Sequence, residues 1–289
     1  MLDKEPLSIN HLSISQATKE DYEQLADFFN QNPCIHRHLD WFSPLDWLGN
    51  EPFLIEKTED QIRATLCAVP ENAQTAWIRV FGIRKRHQPS PVWEEMLAKT
   101  IQNLRKQKID LLTSLSLHTW YQALLEVSGF EHRLNVVVLE WQDEFPDSSE
   151  QNQQIEIRKM AITDLPDVEE IDQLAFPPLW QNTLTGLTKA FNQTGISTVA
   201  TIQGKIVGYQ ISTAMTIYGH LARLAVHPNN QRQGIAFTLV YDLLKRFQRR
   251  GFWRVTVNTQ SDNYSSLRLY EKFSFIQTGE KIPVYALPL

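Results

Sequence analysis

A chain of 289 residues with 42% hydrophobic and 21% charged side chains has the composition of a globular protein, long enough for two domains of roughly 145 residues each. No apolar run reaches the ~18 residues needed to span a bilayer, and Met1-Leu2-Asp3-Lys4-Glu5 lacks the basic-then-apolar character of a signal peptide, so a cytoplasmic location is expected. A net charge of −5 argues against nucleic acid or an anionic membrane as partner, and Cys34 and Cys67 show no metal-ligand spacing, so reduced, buried thiols and no bound metal are expected.

In chain order the sequence reads as two similar halves. The first opens with a short strand at residues 12–15 and a Thr N-cap with an acidic turn, Thr18-Lys19-Glu20-Asp21. An amphipathic helix carrying Leu25, Phe28 and Phe29 follows. A strand is expected at 76–83, then a solvated basic loop, Arg84-Lys85-Arg86-His87-Gln88, whose following prolines, Pro89 and Pro91, remove N–H donors. A helix at 92–107 comes next. The segment from Ser116 through Trp120 and Tyr121 to Gly129-Phe130, with a closing strand at 134–141, ends the half. Six of the eight tryptophans (Trp41, Trp47, Trp77, Trp93, Trp120 and Trp141) fall here, which points to core packing. Residues 145–154, from Phe145-Pro146 to Gln154, are polar and pattern-free and read as a linker.

The second half repeats the plan. A strand at 155–159 leads to a second Thr N-cap, Thr163-Asp164-Leu165-Pro166, and a helix with Val168, Ile171 and Leu174 inward. Strands at 197–203 and 206–217 are joined by Gly204-Lys205, a hairpin turn. Residues 221–226 form the next strand, ended by His227-Pro228-Asn229-Asn230. Gln231-Arg232-Gln233-Gly234-Ile235-Ala236 then opens an amphipathic helix over 237–250, with Leu239, Val240, Leu243, Leu244 and Phe247 on one face. A strand at 253–258, a helix at 265–273 and a strand at 282–287 complete a β-α-α-β-β-β-α-β-α-β-β order. That order predicts a mixed sheet with helices on both faces.

Strand, tight Gly turn and helix start together form an anion-binding device, since backbone N–H groups converge there and the helix dipole favours negative charge. The charge split agrees. Residues 1–150 carry a net −9 and residues 151–289 a net +4, so the basic half is the one with the turn.

The hexapeptide resembles the Gln/Arg-x-x-Gly-x-Gly/Ala signature of the GNAT superfamily of acyl-CoA N-acyltransferases. The likeness extends to Val226-x-Pro228 ahead of it and to Asp262-Asn263-x-x-Ser266-x-x-Leu269-Tyr270-x-x-x-x-Phe275 behind. It is detailed over 196–276 and looks closest to the branch that acetylates protein N-termini. The fold it implies is α/β (α+β): two GNAT-like domains in tandem, each a mixed, mostly antiparallel sheet flanked by helices. Residues 1–145 are then a degenerate copy without the phosphate-binding turn, and 155–289 the acetyl-CoA-binding catalytic domain.

The resemblance implies pantetheine contacts at Leu224, Ala225 and Val226 and pyrophosphate contacts at Arg232, Gln233, Gly234, Ile235 and Ala236. Gln231, Asn258, Asn263 and Ser266 complete the cofactor-binding set, Asn263 also capping its helix. Tyr270 stands at the position of the family's general-acid tyrosine. His220 replaces the glutamate that many members place fourteen residues before the glycine. A neutral imidazole is able to accept a proton there directly or through water. Arg223 is read as facing either an acidic acceptor or solvent, and Ser274 stands where the family commonly has Gly.

The expected function is transfer of an acetyl group from acetyl-CoA directly to a primary amine, on a peptide or protein N-terminus or a small molecule. The alternative is a non-catalytic acyl-CoA-binding sensor. The expected partners are acetyl-CoA and the amine acceptor, in a monomer or homodimer.

Overall fold

A computed structural model describes residues 13–31, 34–58, 61–84, 89–147, 152, 154–215 and 218–289. Residues 85–88 of the basic loop, most of the linker after Asp147 and the last two residues of the strand expected at 206–217 lie outside the described set. The chain divides into two compact units. One comprises Met1–His132 with Tyr285–Leu289, the other Arg133–Val284.

In the first unit, β1 (Ser13–Gln16) leads into α1 (Tyr22–Gln31) through a turn held by Thr18, whose N–H and hydroxyl both donate to the Asp21 carboxylate. Then come β2 (Cys34–Arg37), β3 (Phe53–Lys57), β4 (Ile62–Pro70), β5 (Thr75–Ile83), α2 (Pro89–Lys106), β6 (Leu111–Leu115) and α3 (Thr119–Val127). The sheet order is β1-β3-β4-β5-β6. A Cβ on Gly82 would strike the Phe28 ring of α1, whereas the neighbouring Phe81 packs edge-on against Trp93 of α2. Successive strand residues point to opposite faces, so α1 and α2 cover the sheet on its two sides.

The edges of β5 bear on function. One edge is taken by β4 along Ala76–Ile83. The other is shared. β6 runs parallel to Thr75, Ala76 and Trp77, and β2 then pairs antiparallel with Val80, Phe81, Gly82 and Ile83. The backbone beyond the parallel pairing is thus occupied by a strand of the same unit, a short one that hydrophobic periodicity did not reveal.

The second unit starts inside β7 (Glu131–Trp141), of which residues 133–141 belong to it. β8 (Glu156–Lys159), α4 (Leu165–Ala175), α5 (Leu184–Asn192), β9 (Ile196–Ile202), β10 (Lys205–Met215), β11 (Tyr218–Val226), α6 (Ile235–Arg249), β12 (Arg254–Gln260), α7 (Tyr264–Lys272) and β13 (Phe275–Pro288) follow. The strand order β8-β9-β10-β11-β12-β7 is antiparallel apart from β11 on β12. The partner of β12 is β7, five residue pairs from Thr256↔Glu140 to Gln260↔Val136.

Three sequence expectations are corrected here. Thr163 is not the cap of α4. Asp164 is the N-cap, and its carboxylate takes the Ala161 N–H at 2.7 Å and the Arg158 guanidinium at 2.7 and 2.9 Å. The two strands expected after α7 are one, because Gly279, at φ +88°, bends the chain without ending the strand. Cys67 is buried and free as expected, but Cys34 is only half-buried. Ser274 holds φ +57°, the left-handed conformation a glycine would take there, so the turn keeps its shape at a cost of about 1–2 kcal/mol.

Candidate active site

The site begins with a parting of strands. β11 and β12 run side by side only from Tyr218↔Arg254 to Leu221↔Val257. At that point a bulge interrupts the β10–β11 register, Ile211 facing Arg223 and Ser212 facing Leu221, so that Ala222 is the extra residue. Beyond it β11 stays with β10 through Val226, while β12 continues along β7 to Gln260. The edge of β11 from Leu224 to Val226 that would have faced β12 is left open.

The chain then turns through a short 3-10 segment, Pro228–Asn230, into α6. Gly234, the residue ahead of α6, sits at φ +78° and ψ +2°, which glycine adopts without the steric cost of a Cβ. Arg232 is also left-handed, at φ +60°. The first bond into the helix is Thr238 N–H to Gly234 O at 2.9 Å, reinforced by the Thr238 hydroxyl on the same oxygen at 3.0 Å. Among the described residues, none accepts a hydrogen bond from the backbone N–H of 232–237. Six consecutive donors at the positive end of a 15-residue helix are an arrangement suited to an anion. β10 comes close beneath it, since a Cβ on Gly208 would meet Ala225 O and Ile235 Cγ2 at 3.0 Å each.

A cavity of about 900 Å³ runs from this helix start along the open strand edge. Leu224, Ala225, Val226, Gln231, Arg232, Gly234, Ile235, Ala236, Asn263 and Ser266 all line it. Among the described lining residues its cations are Arg232, Arg268 and Lys272, against the single carboxylate of Asp262. Asn263 is also a plain cap, its Oδ1 accepting the Ser266 N–H at 3.2 Å. Gln231 Nε2 donates to Val226 O at 3.3 Å and ties the turn to the strand end.

Four residues singled out in the sequence are not in the lining. The Gln233 side chain folds back to Asn229 O at 3.4 Å, while its own carbonyl accepts from Asn152 of the linker at 2.9 Å. Asn258 lies on the stretch of β12 paired with β7, opposite Val138. Tyr270 is buried, its ring 5.5 Å from that of Phe275, and burial pushes its phenol well above the ordinary tyrosine range. His220 lies at the last parallel pairs of β11 and β12, its Nδ1 2.9 Å from Thr256 Oγ1. Burial lowers its pKa, partly offset by the Thr256 backbone.

Other lining residues escaped the sequence reading. One wall is Ala175, Phe176, Pro177 and Trp180, between α4 and α5. An aromatic and proline cluster, Phe176-Pro177-Pro178-Leu179-Trp180, was the available signal. Leu134 also lines the cavity, on a strand that sequence order assigned to the other half. Arg268 and Lys272 lie one and two turns along α7 from Ser265, on a face whose use only the cavity reveals.

Arg223 faces neither an acidic acceptor nor solvent. Its Nε and Nη2 donate to the two oxygens of Asp172 at 2.7 and 2.8 Å, and Nη2 also reaches Trp180 O at 2.6 Å. Asp172 is fully buried and takes two further donors, the Tyr209 hydroxyl and the Asn182 N–H.

Divergent strands beside a helix start whose N–H groups find no acceptor among the described residues make an α/β domain with a cleft at the strand ends. Residues 165–275 match the Acetyltransferase (GNAT) family. Over 121 residues, 41% of this chain and 79% of the relative, it is 28% identical to ribosomal protein bS18-alanine N-acetyltransferase of Escherichia coli strain K12. Two solved structures share the fold over nearly the whole chain. One is a tandem GNAT protein from the clavulanic acid biosynthesis pathway, with TM-score 0.66, 12% identity and coverage of 96% of this chain and 98% of that one. The other is a GCN5-related N-acetyltransferase from Sphaerobacter thermophilus, with TM-score 0.62, 15% identity and coverage of 96% and 95%.

Proposed function

We propose that the second unit transfers an acetyl group from acetyl-CoA directly to a primary amine, and that the acceptor is a polypeptide N-terminus. The observation that carries this reading is the row of N–H groups at 232–237, opening onto a cavity that follows the unpaired edge of β11. That row suits a diphosphate, and the backbone of Leu224, Ala225 and Val226 suits the amide groups of a pantetheine arm. Acetyl-CoA supplies an activated acyl carbon and a thiol leaving group.

The chain's residues supply proton handling. His220 serves as base when its Nδ1–H donates to Thr256 Oγ1, because the Nε2 lone pair is then free to take the amine proton, directly or through water. The lowered pKa keeps that imidazole neutral at pH 7. Tyr270, its phenol protonated throughout the neutral range, is the proton source for the departing sulfur. The acceptor reading is supported by the E. coli relative's name and by the apolar character of the wall. Phe176, Pro177, Trp180 and Leu134 offer no carboxylate, so a polycationic amine finds little to bind.

The first unit is proposed to bind no acyl-CoA. Supporting this is β2, whose backbone lies along Val80–Ile83, the stretch of β5 corresponding to the open edge of β11. A second reading, an acyl-CoA-binding protein without catalysis, draws on the burial of Tyr270 away from the cavity lining.

The test is thiol release from acetyl-CoA with three acceptors: a hexapeptide beginning with a free alanine, spermidine, and none. Release with the peptide well above the other two is expected. Acetyl-CoA binding without release to either amine supports the non-catalytic reading, and release with spermidine alone refutes the acceptor assignment.

A further inference from the structure

The cavity wall formed by Phe176, Pro177 and Trp180 has no secondary structure of its own beyond a 3-10 turn, Pro178–Trp180. It spans the interval between α4, ending at Ala175, and α5, starting at Leu184. Such a segment needs tertiary bonds to keep one shape. Gln181 Nε2 donates to Gln173 O and Phe176 O, and the Leu184 N–H to Glu169 Oε1, while the bonds that seat Phe176, Trp180 and Asn182 against the sheet converge on one ion pair. The Arg223 guanidinium sits over the Phe176 ring, its Cζ 3.5 Å from the centroid, and donates to Trp180 O. The Asn182 N–H donates to Asp172, and the Asn182 amide oxygen, suitably oriented, accepts from Arg223 Nε and Nη2 at 3.1 and 3.3 Å. Asp172 itself is locked on α4 by Tyr209 of β10 from the sheet side.

Arg223 does not line the cavity, whereas its neighbour Leu224 and the residues it holds do. It stands immediately after the bulge at Ala222, so the irregularity that parts the strands also sets the position of the guanidinium. We infer that Arg223 is a positioning residue for the acceptor side of the cleft. Through a bidentate bond to Asp172, a contact over the Phe176 ring and a bond to Trp180 O, it fixes the wall against which the amine-bearing substrate lies. A guanidinium is needed, because an ammonium does not give the fork.

The substrate part of this inference rests on the proposed transfer to an amine; the wall itself does not. Two variants of the full chain test it. Arg223→Lys keeps a charge beside Asp172. The pair Arg223→Gln/Asp172→Asn removes both charges together, so that neither is left buried alone. Hydrogen exchange over 175–184 needs no acceptor. At least tenfold faster exchange of the Gln181 and Asn182 amides is expected in both variants, with the amides of α6 unchanged. With acetyl-CoA and the alanyl hexapeptide, the peptide KM should rise at least tenfold, kcat fall by less than threefold, and acetyl-CoA Kd stay within twofold.

Unchanged exchange in both variants overturns the inference, as does faster exchange spread over all of 133–284. Faster local exchange with an unmoved peptide KM overturns the substrate role. If the parent protein transfers nothing to any amine, the proposed function fails, while the exchange result still decides whether Arg223 holds the wall.

Discussion

Starting the chain at residue 155, where the second repeat begins by sequence, removes a strand that the second unit requires. β7 pairs with β12 over five residues and buries Val137, Leu139 and Trp141 to 4%, 3% and 2% exposure among the side chains of α6 and α7. Burying each such side chain contributes about 2–3 kcal/mol, so the three together contribute roughly 6–9 kcal/mol. A whole domain is stable by only about 5–15 kcal/mol. The deletion also bares the β12 edge for pairing with other chains. The 155–289 fragment is expected to lack a cooperative thermal transition and to bind no acetyl-CoA in calorimetry. The full chain with Trp141→Ala should stay folded but lose about 3–5 kcal/mol from the transition of the second unit in urea. A 155–289 fragment that melts cooperatively and binds acetyl-CoA as tightly as the full chain would refute this reasoning.

Tyr270→Phe is expected to leave acetyl-CoA affinity within twofold and to lower thiol release about 10²-fold or more, the usual contribution of a positioned acid. Equal turnover by both proteins removes Tyr270 as the acid. A pH effect is expected in the first unit. His36 is fully buried, stacked on Tyr121 at 4.0 Å, and burial, only partly offset by the Ile78 backbone, lowers its pKa from 6.5 to about 3. The folded state keeps it neutral while the unfolded chain protonates below 6.5, so stability present above pH 6.5 is lost as pH falls toward 3. At pH 5 the loss from this residue is about 2 kcal/mol. Urea unfolding at pH 7.5 and 5.0 should show that much extra loss in the parent relative to His36→Phe, and equal losses would contradict the assignment.

The strand–turn–helix geometry of the candidate anion site was legible from sequence because every part of it is local. A strand end, a glycine at the left-handed position and the first turn of an amphipathic helix all lie within about a dozen residues, and the structure places them as expected. The wall was not legible. Arg223 finds Asp172 across 51 positions, and spacing alone could not distinguish a buried pair from a solvent-facing cation. Leu134 and the β7–β12 ladder were missed for a topological reason, since sequence order predicts that a strand joins the sheet of its own repeat. β2 was missed because four residues, Cys34–Arg37, carry too little alternation to signal a strand; what holds them is the open edge of β5.

The most direct test of the central claim is calorimetric titration of acetyl-CoA into the full chain and into Gly234→Glu, with circular dichroism to show that both are folded. Glutamate at φ +78° costs about 1–2 kcal/mol of strain, which a domain tolerates, but it brings a carboxylate to the row of N–H groups. One site per chain, lost in the variant, is the predicted result. Two sites per chain, or undiminished binding by a folded Gly234→Glu, would contradict it.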